Sequence, residues 1–267
     1  MPVDHENIPH LNRDALNDSA GRPWQGRAFE ANGWADDDGS APEILISAVR
    51  AFRAGESSAA AVVDAFRQSR VLIPLLADLG DAEVGAHGQV VEKSADLSIV
   101  TVAGPDGQTV LPVFSSVEAM QRWNPTARPV PTEPVKAALA AASENTHRIV
   151  LDPGSEESEF AIRRTAIEAI ARNLTWAAPE ERREVHEVFQ KSIADEEHIL
   201  AFALMSGDPQ SRLAGSELLA LFKVRPGLSE AQLNDTMNRV FERLTSEDAF
   251  AAAVDSMAVK LVAAQDQ

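Results

Sequence analysis

A chain of 267 residues, 45% of them hydrophobic, is long enough to bury a large core in one or two domains without disulfide or metal staples. It has no cysteine, which excludes disulfides, cysteine nucleophiles, thiolate zinc sites, iron–sulfur ligation and persulfide-type sulfur transfer by its own side chains. Its net charge of −17 is spread along the chain, a field that repels nucleic acid and anionic membranes and favours solubility and basic partners.

Residues 1–38 are rich in Asn, Asp, Gly and Pro and show little periodicity. Trp24, Phe29 and Trp34 interrupt them, and large rings gain by burial. The segment is therefore expected to be an arm, either free or docked on its own protein or on a partner. It holds no apolar run of the signal-peptide kind, and no stretch of the chain reaches the roughly 18 apolar residues of a membrane span. A cytoplasmic location is expected.

Ser40-Ala41-Pro42-Glu43 has the capping-box pattern. Leu45, Ala48, Val49 and Phe52 follow on one helical face, and Ala59, Val62, Val63 and Phe66 repeat that spacing over residues 58–68. Residues 71–76 read as a buried strand. Pro74 within it is expected at a strand end, bulge or edge, because proline cannot donate to a ladder. Residues 77–94 read as a loop. The apolar runs 97–103 and 109–114 flank Pro105-Asp106-Gly107 and predict a β-hairpin.

Ser115-Ser116-Val117-Glu118 offers a second capping box, opening a helix that ends at Trp123. Prolines 125, 129, 131 and 134 mark an extended connection, with Pro134 in the first turn of a helix to about residue 142. Residues 148–151 form a strand stopped by Asp152-Pro153-Gly154, and 159–162 form another. Ile167, Ile170, Ala171 and Leu174 lie on one helical face.

Trp176-Ala177-Ala178-Pro179 marks the expected domain boundary. Beyond it Val185, Val188 and Phe189 indicate a helix, and residues 199–205 and 217–224 read as strands joined by a polar loop. Ser229-Glu230-Ala231-Gln232 is a third capping box, opening a helix with Leu233, Met237, Val240, Phe241 and Leu244 on one face. Residues 257–262 form a last strand. The expected fold class is α/β of the α+β kind: an arm over 1–38, a mixed sheet with packed helices over 39–176, and a smaller α+β domain over 177–267.

The order of these motifs resembles the SseB family in its actinobacterial form. The resemblance rests on Arg70-Val71-Leu72-Ile73-Pro74-Leu75, on Gly104-Pro105-Asp106-Gly107, on Leu111-Pro112-Val113-Phe114-Ser115-Ser116 followed by Trp123, and on Leu151-Asp152-Pro153-Gly154. It extends to Gly215-Ser216-Glu217-Leu218, Arg225-Pro226-Gly227-Leu228 and Val254-Asp255-Ser256. It implies an α/β fold with a second, smaller domain of the same type. The family name comes from an enhanced serine sensitivity phenotype, and the resemblance brings no established reaction, cofactor or catalytic residue.

No Walker-type GxxxxGK[ST], GxSxG elbow or HExxH is present, and Gly80, Gly85 and Gly88 lack GxGxxG spacing. Asp195 and His198 stand at i, i+3, but a second ligand pair is missing. The adjacent acids Glu156-Glu157 and Glu196-Glu197 read as surface charge. Arg163-Arg164 opens a helix, where cations oppose the macrodipole; they either grip an anion or partner carboxylate or balance Glu156, Glu157 and Glu159. Arg122, Trp123 and Arg128, together with Trp24 and Trp34, form a candidate interaction patch, against core packing of Trp123 at its helix end. No catalytic, metal-binding or cofactor-binding residue is assigned, and no cofactor is expected. The reading is a non-enzymatic interaction or regulatory module with a protein partner, or a homo-oligomer, and with no nucleic acid or membrane. The alternative is a small-molecule sensor or enzyme of unrecognised type, with a pocket near the strand ends at Asp152 and Ser115.

Overall fold

Two amphipathic helices, α1 (Glu43–Arg53) and α2 (Ala59–Arg67), lead into strand β1 (Val71–Ala77) in the computed structural model, which describes residues 37–77 and 97–264. Trp24, Phe29 and Trp34 lie outside the described residues, as does the loop expected over 77–94 except Ala77, which ends β1. The helical spacing buries Leu45 and Val49 of α1 and Val62, Val63, Ala65 and Phe66 of α2 in one core. Ser58 caps α2 by accepting from the Ala61 amide at 3.4 Å. The capping box expected at Ser40 does not form. Pro42 is the N-cap residue of α1, while Ser40 bonds Asp38 through its amide and Arg70 through its carbonyl.

Strand β1 is the centre of a three-stranded antiparallel sheet, flanked by β2 (Leu97–Ile99) and β5 (Arg128–Thr132). Pro74 therefore lies inside a central strand, contrary to the sequence expectation. It sits directly opposite Pro129. On the other side of β1, Leu72 exchanges both backbone bonds with Phe114, at 2.8 and 2.9 Å, and β2 pairs only from Leu75 onward. By strand alternation the missing Pro74 donor falls in the gap between those two neighbours. Pro129 and Pro131 face away from β1 on an edge strand, where no donor is needed. This is why a proline-rich connection is a strand.

A second sheet has the order β3-β4-β6-β7: β3 (Val102–Ala103), β4 (Thr109–Val113), β6 (Ile149–Leu151) and β7 (Phe160–Ile162). The hairpin expected around Gly107 is present only as β3 with β4, because residues 97–99 turn off to join β1. Strands β4 and β6 are parallel, joined by a crossover through α3 (Val117–Trp123), β5 and α4 (Pro134–Ser143). Helix α3 is capped by Ser116, one residue later than the sequence pattern suggests. Helix α5 (Arg164–Ala171) follows β7.

The remaining chain forms a third sheet, backed by helices. After a 3-10 turn at Pro179–Glu181 come α6 (Arg183–Ser192), β8 (Ile199–Ser206), β9 (Leu218–Val224), α7 (Glu230–Thr245), α8 (Asp248–Ala253) and β10 (Met257–Ala263). Strand β9 is central, antiparallel to β8 and parallel to β10. The capping box at Ser229 and Gln232 forms as expected and starts α7. Phe189, Phe222, Val240 and Leu244 are fully buried between this sheet and its helices. Each such side chain contributes about 1.5–3 kcal/mol. Helices and strands interspersed in mixed sheets make the fold α+β.

Candidate functional site

The β7–α5 junction carries Arg163, Arg164 and Thr165 against the end of the third sheet. Arg163 donates to Asp208 at 2.8 Å and to the Gly215 carbonyl at 2.6 Å, and its other nitrogen lies 3.6 Å from Asp255. Arg164 donates to the carbonyls of Ala251 and Val254 and pairs with Glu168 at 3.0 Å. Arg148 pairs with Asp106 and lies 3.6 Å from Asp255. The charges these arginines meet thus come mainly from Asp208 and Asp255, not from Glu156, Glu157 and Glu159 as one sequence reading has it. The sequence gives no hint of partners this distant. Buried cations of this kind persist only when paired.

Glu217 completes the joint. It accepts from Thr165 at 3.1 Å and from the Asp255 amide at 2.6 Å, and Thr165 in turn accepts from the Trp176 indole at 3.0 Å. Burial pushes the Glu217 carboxyl up, against the pull of these donors, and burial does the same to Glu180 nearby. Both line a cavity of about 50 Å³ with Phe160, Trp176 and Pro179. That volume suits a water or two, far below the several hundred Å³ of a small-molecule pocket.

A much larger groove lies over the C-terminal ends of β4 and β6, the place where open α/β sheets put their ligands. Its volume is about 830 Å³. On its floor the Asp152 carboxylate takes the Ser115 amide at 2.7 Å and the Ser115 hydroxyl at 2.6 Å. Burial pushes Asp152 up, and these two donors oppose it. Ser115 and Asp152 are each 2% exposed. One carboxylate oxygen takes the Ser115 amide and the other its hydroxyl, so the pair clasps two strand ends. The lining includes Arg50 of α1 and Arg122 of α3, exposed and making no hydrogen bond or ion pair with a described residue, together with Glu118, Glu156 and Glu157.

Of the sequence-predicted patch, Arg122 lines this groove, and Trp123 lines its extension beside Pro153. Trp123 is half-buried against Phe114, ring centroids 5.3 Å apart. Arg128 stands on β5, outside the groove lining, and Trp24 and Trp34 lie outside the described residues. Asp195 is exposed, and His198 lies 3.9 Å from Glu197. Among the described residues no three His, Asp or Glu side chains are arranged to hold a metal, and no helix is long and apolar enough to cross a membrane.

The third sheet has a surface the sequence reading passed over. Leu218, Ala220, Phe222 and Val224 of β9 point into the helices. The register puts Leu219, Leu221 and Lys223 on the opposite side, in rows with Met205, Ala203 and Ala201 of β8 and Ala258, Lys260 and Val262 of β10. Seven of these nine positions are apolar and none is acidic. None belongs to a buried core cluster, and Met205 and Val262 are 41% and 45% exposed. The only signal in the sequence is that β8 and β9 are apolar on both alternations.

Residues 45–169 match the family model of the SseB protein N-terminal domain. That segment is similar to the N-terminal domain of SseB-family proteins. The matched segment runs from α1 into α5, so it contains the first two sheets and all of the groove lining except Ala41, and stops before the third sheet. No curated protein and no solved structure gives a significant match.

Proposed function

We propose that this chain is of the SseB family and is a non-enzymatic, cytoplasmic protein-interaction module of two domains, residues 39–176 and 177–267, the second being of SseB type. The side of the third sheet that no described helix covers carries the reading. An exposed apolar face on a sheet is where a protein contact can form. The clasped state of Ser115 and Asp152 supports a structural role for that pair.

The test is a quantitative pull-down with the full chain, comparing wild type with Leu219→Asp/Leu221→Asp at matched melting temperature. A stoichiometric partner lost from the variant supports the module. A partner retained at the wild-type level overturns it. The groove over Asp152 favours a second reading, a small-ligand sensor, because its volume is in the ligand range and Arg50 and Arg122 make no hydrogen bond or ion pair with a described residue. Ligand-induced thermal stabilisation that disappears in Arg50→Ala/Arg122→Ala selects that reading.

A further inference from the structure

The uncovered sheet face has a chemistry that selects its occupant. Leu219 and Leu221 form a ridge along the central strand, and Ala201, Ala203 and Ala258 leave shallow troughs beside it. Seven residues of strand run about 23 Å and three strands span about 14 Å. That footprint matches one helix of about 15 residues, roughly 10 Å across. It offers roughly 300 Å² of flat surface, well short of the approximately 800 Å² per partner in a stable dimer.

Charge narrows the choice further. Two of the chain's five lysines, Lys223 and Lys260, are diagonal neighbours either side of Val262 at one corner of the face, in a chain with 41 Asp and Glu. Both side chains are exposed, and neither has an ion pair with a described residue. A second copy stacked on this face would bring four lysines together with no acid among its nine positions. The net charge of −17 favours basic partners over the molecule as a whole, but these two lysines make the face locally positive, and opposite charge is what it accepts.

We infer that this face receives an acidic amphipathic helix of a partner protein, its apolar side on the Leu219–Leu221 ridge and its carboxylates at Lys223 and Lys260. The inference rests on the interaction reading above and adds the chemistry of the partner. Apolar anchors at i, i+3, i+4 and i+7 supply the contact, as in other helix-on-groove complexes. The two lysines set its orientation.

The full chain carrying photoreactive benzoylphenylalanine at Met205 is irradiated in native lysate, and the attached peptide is sequenced by mass spectrometry. The same probe at Leu139, exposed on α4, is the control. The expected adduct is a segment with helical apolar spacing and net negative charge, its yield falling about tenfold or more in Lys223→Glu/Lys260→Glu. A basic segment, a second copy of this chain, or residues 1–36 of this chain as the adduct overturns the inference. So does a yield that Leu221→Asp abolishes but charge reversal leaves unchanged, and that outcome leaves the interaction reading standing. A yield at Met205 no higher than at Leu139 overturns both.

Discussion

Replacing Arg163 by methionine removes the cation at the joint between the SseB segment and the third sheet while keeping much of the side-chain volume. In the wild type its guanidinium holds Asp208 at 2.8 Å and the Gly215 carbonyl at 2.6 Å, and both charged side chains are under 10% exposed. Removing one member of a buried pair costs about 3–5 kcal/mol, because the other charge stays buried. Asp208 keeps the amides of Arg212 and Leu213, at 3.2 and 2.8 Å, which places the loss near the lower end, about 3 kcal/mol. For a chain of this size that is roughly 6–12 °C in Tm. The assay is calorimetry together with urea denaturation followed by far-UV circular dichroism and tryptophan fluorescence. Trp176 reports on the joint itself, through Thr165. Arg163→Met is expected to lose this stability and to separate the two signals, since the halves share this network. Adding Asp208→Asn should recover at least about 1 kcal/mol, because it neutralises the stranded charge. A loss under about 1 kcal/mol, or additive effects in the double variant, refutes the assignment of this pair as the joint.

Asp152→Ala leaves the Ser115 amide and hydroxyl buried without their acceptor and should cost about 2–4 kcal/mol. Asp152→Asn, which tolerates the φ of 44° at this position and keeps one acceptor oxygen, should cost about 1 kcal/mol or less; urea denaturation distinguishes the two. Leu221→Asp on the uncovered face should change stability by about 1 kcal/mol or less, whereas Phe222→Ala, one residue on and fully buried, should cost about 3–5 kcal/mol. Equal losses would mean that the face is packed. Glu196 is buried against Arg239 and Arg243, not surface charge as the sequence pattern suggests, and hydrogen bonds from Arg239 hold its carboxyl below the ordinary value of 4.5. A depressed carboxyl stabilises above its unfolded pKa and loses that contribution as pH falls through the folded value. The stability difference between wild type and Glu196→Gln should therefore be full at pH 7 and shrink below about pH 4.5, measured by denaturation across that range.

Local patterns carried most of the element assignments. The 3.6-residue spacing of Leu45, Val49 and Phe52 and the pair Ser229–Gln232 are complete within one helix, so they are legible without knowing what packs on them. Helix α8 was missed because six residues are too few to show a period. The Ser40 box failed because that residue's backbone is engaged by Asp38 and Arg70, the latter 30 residues away. Strand β5 and the central position of Pro74 were illegible for a related reason. Whether a proline is tolerated depends on which side of the strand its nitrogen faces, and that is a property of the pair.

The groove was partly legible, since Asp152 and Ser115 end two apolar runs and strand ends are where sheets open. The partners of Arg163 were not, because Asp208 lies 45 residues away and no spacing rule reaches it. By itself the sequence determined the α+β class, the helical faces and the lack of thiol chemistry, all consequences of residue type and local period. Only the tertiary structure decided that a strand pair apolar on both sides, which reads as fully buried, is covered by the described residues on one side alone. Burial depends on how many layers surround a sheet, and here the described helices supply just one.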